Sequence, residues 1–215
     1  MTHIERLGFP FGERDVHASM ARRLAEQIPG LHRPRIFRGK RLEVAVDAPW
    51  IDTERLTLRP HRVQDAEAWY RLQSDPRTVA YLAWDLRNRE ESRQHLRDRS
   101  RQTRLWQADD FMALAIEHEG SLIGDVSLHL RDVDAAQRSA EIGWVIDPEQ
   151  GGHGYATEAA EAVVGFAFDQ LAATKVMAVI ERRNFRSLAL ARRLGFTLSE
   201  SSPTHITLAI RPDGV

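Results

Sequence analysis

The strongest constraint on this chain is a glycine run, Gln150-Gly151-Gly152-His153-Gly154-Tyr155-Ala156-Thr157-Glu158-Ala159, set between a strand pattern and a helix pattern. Ala140 to Ile146 reads as a strand closed by Asp147-Pro148. From about Tyr155 to Gln170, Ala156, Ala160, Val163, Ala167 and Leu171 recur on one helical face. Glycines let the backbone turn sharply and bring its N–H groups close to a ligand. The helix behind them adds unpaired N–H groups and the positive end of its dipole, which together suit a phosphate. The charge–dipole attraction is worth only ~0.3–2 kcal/mol, so several N–H bonds must act together. A Walker loop would need a lysine after its second glycine, and none is present. The dinucleotide fingerprint needs Gly-x-Gly-x-x-Gly after a first strand. Here Gly152 and Gly154 are followed by Thr157, late in the chain. A glycine-rich turn that holds nothing is the remaining alternative.

Composition narrows the field. Thirty basic residues against 31 acidic ones give a formal charge of -1, without the basic excess expected of a domain that grips nucleic acid by its phosphates. Lys40 and Lys175 are the only lysines, so arginine carries nearly all the positive charge. No run approaches the ~20 apolar residues of a membrane span. Met1 to Arg6 lacks the apolar run of a signal peptide, so the expected setting is cytoplasmic, with no membrane partner and no nucleic acid. The absence of cysteine excludes disulfides, thiolate metal sites and a cysteine nucleophile.

The first fifty residues read apart from the rest. Val16, Met20, Leu24 and Ile28 make one stripe on a helix spanning about 15–28, and Leu42, Val44 and Val46 alternate in a strand over about 41–46. Arg55 to Arg59 alternates again, and Val63 to Gln73 turns helical. Asn88 to Arg104, almost all polar, reads as a surface helix. The apolar runs Phe111–Ile116 and Leu122–Leu130 flank a hairpin turn at His118-Glu119-Gly120-Ser121. Strands follow at Lys175–Ile180 and His205–Ile210, with a short helix between them from Phe185 to Arg193, stopped by Gly195. The order gives a mixed α/β fold with a hairpin-rich centre.

Asn184-Phe185-Arg186-Ser187 and Leu194-Gly195-Phe196 lie about thirty residues beyond the glycine run. With Ile51 to Arg59, the strand Glu141 to Pro148 and the run Gly152 to Ala159, they make residues 51–210 resemble the GNAT superfamily of N-acetyltransferases, and within it the Rim-type ribosomal-protein enzymes. The resemblance implies a GNAT fold: a mostly antiparallel central sheet, splayed at the cofactor site and flanked by helices, over 51–215, with residues 1–50 as an extension. It implies acetyl-CoA as co-substrate and no metal. The pantetheine arm would pair with Trp144, Val145 and Ile146, and the pyrophosphate would rest on Gly151, Gly152, His153, Gly154, Tyr155 and Ala156, with Thr157 at the helix start. Asn184 would touch the pantetheine and Ser187 would lie near the sulfur. The family carries Gln or Arg three places before the glycine that Gly154 matches. Here that place is Gly151, so a side-chain contact there is in doubt while the backbone cradle survives. The extension is expected to be a packed addition, a homodimer contact or a lid over the acceptor groove.

Transfer from a thioester needs a neutral amine. An α-amine of pKa ≈ 7.7–8.0 is neutral in roughly one molecule in six to eleven at pH 7, and a lysine of pKa ≈ 10.4 in about one in 2,500. The glutamate that some relatives carry before the Asn184 position is absent or displaced, since the chain reads Val179-Ile180-Glu181. Glu117, Asp125 and Glu141 are the carboxylate candidates for a base. Glu141 is preferred, because it shares a strand face with Gly143 and Val145. Ser187 is the candidate proton donor to the leaving thiolate. The expected reaction is direct transfer from acetyl-CoA to a protein N-terminal α-amine. A small amine, another acyl-CoA, or a non-catalytic acyl-CoA-binding domain are the alternatives. His153 is either a phosphate contact or an exposed loop residue. Trp69, Trp84 and Trp106 lie near helices that wall the substrate groove in such enzymes.

Overall fold

In a computed structural model, which describes residues 40–82 and 84–212, the chain runs through β1 (Arg41–Asp47), β2 (Ile51–Asp52), β3 (Thr57–Pro60), α1 (Ala66–Ser74), α2 (Pro76–Val79), α3 (Arg89–Arg99), β4 (Arg104–Gln107), β5 (Phe111–His118), β6 (Ser121–Asp132), β7 (Ser139–Ile146), α4 (Tyr155–Asp169), β8 (Lys175–Glu181), α5 (Phe185–Arg193), β9 (Thr197–Ser201) and β10 (His205–Ile210). The helix expected over 15–28 lies outside the described residues.

Eight strands form one sheet in the order β2-β3-β5-β6-β7-β8-β10-β9, and β1 pairs with β4 in a second, two-stranded sheet. Leu42 of β1 is buried in the same apolar cluster as the main sheet. The β5–β6 hairpin turns through Glu119 and Gly120, both at positive φ (49° and 75°), as a tight two-residue hairpin connection requires. All pairs in the main sheet are antiparallel except β7–β8. A parallel pair needs a crossover, and α4 supplies it.

The two faces of the sheet are built differently. On one face Leu58, Met112, Leu114, Ile116, Val126, Leu128, Ala140 and Ile142 meet Ala159, Ala160, Val163 and Ala167 of α4 in a continuous apolar core. Each large side chain buried there contributes roughly 1.5–3 kcal/mol. The opposite face packs on α1 and α3 through a smaller cluster, Trp69, Leu72, Leu96, Ala115 and Leu122. It also buries charge: Arg59, Asp65, Arg99, Asp125 and Glu141 are each at most 8% exposed. α3 starts with a capping box, in which the Asn88 side chain accepts from the Glu90 and Glu91 amides while Glu91 accepts from the Asn88 N–H.

Two stretches depart from the expected pattern. The polar helix ends at Arg99, and Arg104–Gln107 turns into strand β4. Thr197–Ser201 forms edge strand β9, whose residues are mostly exposed and show no apolar alternation.

Candidate active site

The site begins where the sheet comes apart. β7 and β8 are in register only at Ser139↔Lys175, Ala140↔Val176 and Glu141↔Met177. Beyond that rung β7 continues to pair with β6 as far as Ile146↔Gly124, and β8 with β10 as far as Glu181↔His205. The two strands therefore diverge, and the inner edge of β7 from Ile142 onward offers main-chain groups to an extended ligand, as in strand addition. Gly124 holds the outer side of this strand in place. A Cβ there would lie 2.4 Å from the Val145 carbonyl oxygen and 2.8 Å from Ile146 Cδ1, so only glycine allows so close an approach.

The glycine run leads from the diverging strand into α4. Gly152 and Gly154 have φ of 88° and 85°, where any side chain is strained, whereas Gly151 is extended (φ -71°, ψ 152°). The first helical amides to bond back are those of Thr157 and Glu158, both to the Gly154 carbonyl. Those of Tyr155 and Ala156 have no backbone acceptor among the described residues, as expected of the N–H groups that open a helix. The loop is clamped from outside. Glu158 Oε1 accepts from Thr53 Oγ1 (2.6 Å) and the Arg55 amide (2.9 Å), Glu158 Oε2 accepts from Arg55 Nε (2.8 Å), and Arg55 Nη1 donates to the His153 carbonyl (2.9 Å). The Arg55 guanidinium lies 4.8 Å over the Tyr155 ring. These contacts hold the carboxyl of Glu158 below its ordinary pKa: burial alone would raise it, and the bonds from Thr53 and Arg55 outweigh burial. Tyr155 shares a hydrogen bond with His118 Nε2 (3.1 Å), and its ring stacks on exposed His153 (5.5 Å). The Tyr155 side chain thus packs against the loop and against β5. Arg193 Nη2 donates to Thr157 Oγ1 (3.3 Å).

The far wall is α5. Asn184 caps it by accepting from the Ser187 amide (3.1 Å), and half-buried Ser187 accepts through Oγ from Trp144 Nε1 (3.3 Å). The bond joins β7 to α5 across the opening.

Each of the three candidate carboxylates has a cationic partner. Glu117 Oε2 accepts from Arg59 Nε (2.6 Å), which also grips Asp65. Asp125 takes both Arg99 and His61, the latter at 2.7 Å. Burial would raise the pKa of Asp125, but the Arg99 charge and the His61 bond hold it well below the ordinary carboxylate range. Glu141 is 1% exposed and sits on the last shared rung of β7 and β8, and its Oε2 accepts from Arg131 Nε (3.1 Å). Glu141 is therefore the candidate at the root of the opening, beside Gly143, where a Cβ would meet nothing closer than Ser127 Oγ at 3.4 Å. Of the three tryptophans, Trp69 is buried between α1 and α3, and Trp84 donates to Gln73. Trp106 lies apart on β4, under the Arg41 guanidinium (4.4 Å). Among the described residues no group of three or more histidines or carboxylates could hold a metal, and no helix is long and apolar enough to cross a membrane.

A family model for the acetyltransferase (GNAT) domain matches residues 55–197, from the Arg55 clamp through the opening to the start of β9. The chain belongs to the GNAT acetyltransferases. It is 31% identical over 150 residues to YoaA of Bacillus subtilis (strain 168), an uncharacterized N-acetyltransferase, covering 69% of this chain and 82% of that one. It is 30% identical over 83 residues to spermidine N(1)-acetyltransferase of Escherichia coli (strain K12), covering 39% and 44%. Among solved structures it shares its fold with RimL, a ribosomal-protein α-N acetyltransferase in complex with coenzyme A, at TM-score 0.63 and 18% identity, over 79% of this chain and all of that one.

Two parts of this GNAT site were not singled out from the sequence. The Thr53–Arg55–Glu158 clamp joins segments more than a hundred residues apart, and nothing local signals it. Gly124 did leave a signal, as an isolated glycine inside an apolar strand run.

Proposed function

We propose that this acetyltransferase moves the acetyl group of acetyl-CoA directly to a protein N-terminal α-amine. The observation that carries the reading is the divergence of β7 from β8 after Glu141↔Met177, beside a helix start preceded by two left-handed glycines. The pantetheine would add to the free edge at Trp144, Val145 and Ile146. The pyrophosphate would meet backbone amides from Gly151 to Ala156, with Thr157 behind them and Asn184 on the far side. The amine would enter over Gly143 and lose its proton to Glu141, directly or through a water. As that proton leaves, the nitrogen lone pair attacks the thioester carbon, the C–S bond breaks, Ser187 gives a proton to the departing thiolate, and the proton taken up by Glu141 returns through water to the Ser187 oxygen. Trp144 Nε1 already donates to one side of Ser187 Oγ, which leaves the hydroxyl proton free to serve.

An α-amine fits better than a lysine because Glu117, Asp125 and Glu141 are all engaged by cations, and a weakly assisted site needs an amine that is partly neutral already. A small amine is the second reading, favoured by the partial likeness to the spermidine enzyme. Thiol release from acetyl-CoA should be fastest with peptides bearing a free terminal amine, slower with N-blocked lysine peptides and with spermidine; the reverse order would select the second reading. Glu141→Gln should lower kcat tenfold or more with the KM for acetyl-CoA little changed, and an unchanged kcat removes Glu141 as the base.

A further inference from the structure

The middle of β6 carries polar side chains that the packing of the sheet does not call for. Val126 and Leu128 join the apolar core with α4, so Asp125, Ser127 and His129 alternate onto the opposite face. Ser127 is only 6% exposed, and a buried hydroxyl is costly unless something bonds it. It stands between Ala113 of β5 and Gly143 of β7, so its rung of the sheet bears no large side chain. Gly143 does not have the left-handed backbone of Gly152 and Gly154. A Cβ there would meet only Ser127 Oγ, at 3.4 Å, which is ordinary contact. Neither strain nor crowding therefore calls for glycine, and a glycine inside a strand otherwise marks close approach by a ligand. The missing side chain leaves room directly over the Ser127 hydroxyl, where β7 is half-buried.

His129 backs that hydroxyl. Its Nε2 lies 3.3 Å from Ser127 Oγ, and its half-buried ring stacks on Phe111 at 4.9 Å and 14°. Opposite it on β7 is Glu141. Among the described residues, the charged groups around the ring are Glu141 of β7, Asp125 and Arg131 of its own strand, Asp109 through its pair with Arg131, and Arg99 of α3, whose guanidinium lies 5.8 Å from the Phe111 ring. The direction of the bond depends on the charge of the ring. A neutral imidazole with a bare Nε2 takes the Ser127 hydroxyl hydrogen, which leaves the oxygen lone pairs facing the space over Gly143. A protonated ring donates to Ser127 Oγ instead, and the hydroxyl then turns a hydrogen toward that space.

We propose that Ser127 holds the reacting amine of the acceptor and that His129 is the positioning residue that orients Ser127. The proposal rests on the amine-acetylating reading of the opening and adds to it. Once Glu141 has taken one proton, a primary amine keeps two N–H bonds and one lone pair. Ser127 Oγ accepts from one N–H, which turns the lone pair toward the thioester carbon. When His129 is protonated, Ser127 becomes a donor to that lone pair and holds the amine in a form that cannot attack. Ser127 touches the acceptor, and His129 acts only through it.

The test uses the full chain with acetyl-CoA and either trialanine amide or spermidine, followed by thiol release. Ser127→Ala should lower kcat/KM for the accepted amine about tenfold or more, with the KM for acetyl-CoA and the urea midpoint little changed. His129→Phe keeps the stack on Phe111 and loses the bond, so it should do the same, and the double variant should fall no further than either single one. On the acid side the wild-type kcat/KM should fall with one ionisation more than that of His129→Gln, which keeps an acceptor that does not titrate. Calorimetry of each amine against its desamino analogue, on protein saturated with CoA, supplies a reading that needs no turnover. Turnover unchanged in Ser127→Ala overturns the proposal and leaves the acetyl transfer standing. Equal ionisations in the wild type and His129→Gln overturn the role of His129. Amine-selective binding lost in Ser127→Ala, without turnover on either amine, supports the amine site and sinks the proposed transfer. Neither turnover nor selective binding overturns both.

Discussion

The same strands carry two unlike faces, and the contrast separates stability from chemistry. Toward α4 the sheet presents a continuous apolar surface from Leu58 to Ile142, with His118 at its edge bonded to Tyr155. Among the described residues the opposite face carries buried or half-buried ion pairs: Arg59 with Asp65 and Glu117, Arg99 with Asp125, and Arg131 with Glu141 and Asp109. Burying charge is a poor way to gain stability, because desolvation offsets the attraction. An apolar interface would hold α1 and α3 at least as well. Charge on that one face is understandable if it fixes polar groups beside an opening where a proton must move and an acceptor must be recognised. The body of the α4 interface, from Ala159 to Ala167, has no such task and is packed with apolar side chains.

The largest expected effect lies on the charged face. Asp125→Ala leaves the Arg99 guanidinium buried without its carboxylate, and breaking a buried pair by removing one partner costs about 3–5 kcal/mol. Replacing Asp125, Arg99 and His61 together by leucine, methionine and leucine should restore most of that stability in urea unfolding, since apolar substitutes of similar volume are often neutral or better. If the triple variant is as unstable as Asp125→Ala, the charges are structural and the contrast between the faces collapses. On the other face Leu128→Ala, at 0% exposure, should cost about 2–5 kcal/mol through lost burial and a cavity. Its kcat should be unchanged in the fraction that remains folded.

Acid should reveal the same asymmetry. Asp65 and Asp125 have folded pKa values below their ordinary ones. In each, burial opposes the shift and the arginine outweighs it, Arg59 for Asp65 and Arg99 for Asp125. A carboxyl of this kind binds its proton more readily when unfolded. Its stabilising contribution is therefore complete above the unfolded value of ~3.9 and drains away as the pH falls toward the folded one. The urea midpoint should drop steeply below about pH 4 in the wild type. The drop should be shallower in the apolar triple variant and unaltered in Leu128→Ala. A triple variant as acid-sensitive as the wild type would assign the effect to other carboxylates.

The faces also differ in how far the sequence discloses them. Apolar periodicity marks apolar burial, so the α4 face, the β5–β6 hairpin and α4 itself were legible from Met112, Leu114, Val163 and their neighbours. The glycine run and the Asn184–Ser187 block were legible as motifs. The charged face was hidden, because a buried arginine spells the same as a solvated one. The stretch from Asn88 to Arg104 reads as a surface helix, yet α3 turns Ser92, Leu96 and Arg99 inward. Only Asp125, a lone carboxylate inside an apolar run, hinted at it. β9 gave no signal because its exposed residues pair only at the edge, with β10.

The smallest expected effects come from two glycines of α4 that set the chemistry of the opening against the packing of the helix. Gly154 caps the helix at φ 85°, and giving it a Cβ costs about 1–2 kcal/mol in that conformation. Gly165 is mid-helix, and an added Cβ would meet nothing within 4 Å. Gly165→Ala should therefore raise stability by about 0.5–1 kcal/mol, with the KM for acetyl-CoA unmoved. Gly154→Ala can relieve its strain by rotating φ back, which turns the Tyr155 and Ala156 amides away from where a pyrophosphate would lie. Its signature is then a rise in the KM for acetyl-CoA larger than its stability loss, measured by thiol release and urea unfolding on the same preparation. Equal and small changes in both variants would mean that the two glycines serve the helix alike, and that the amides behind Gly154 hold no phosphate.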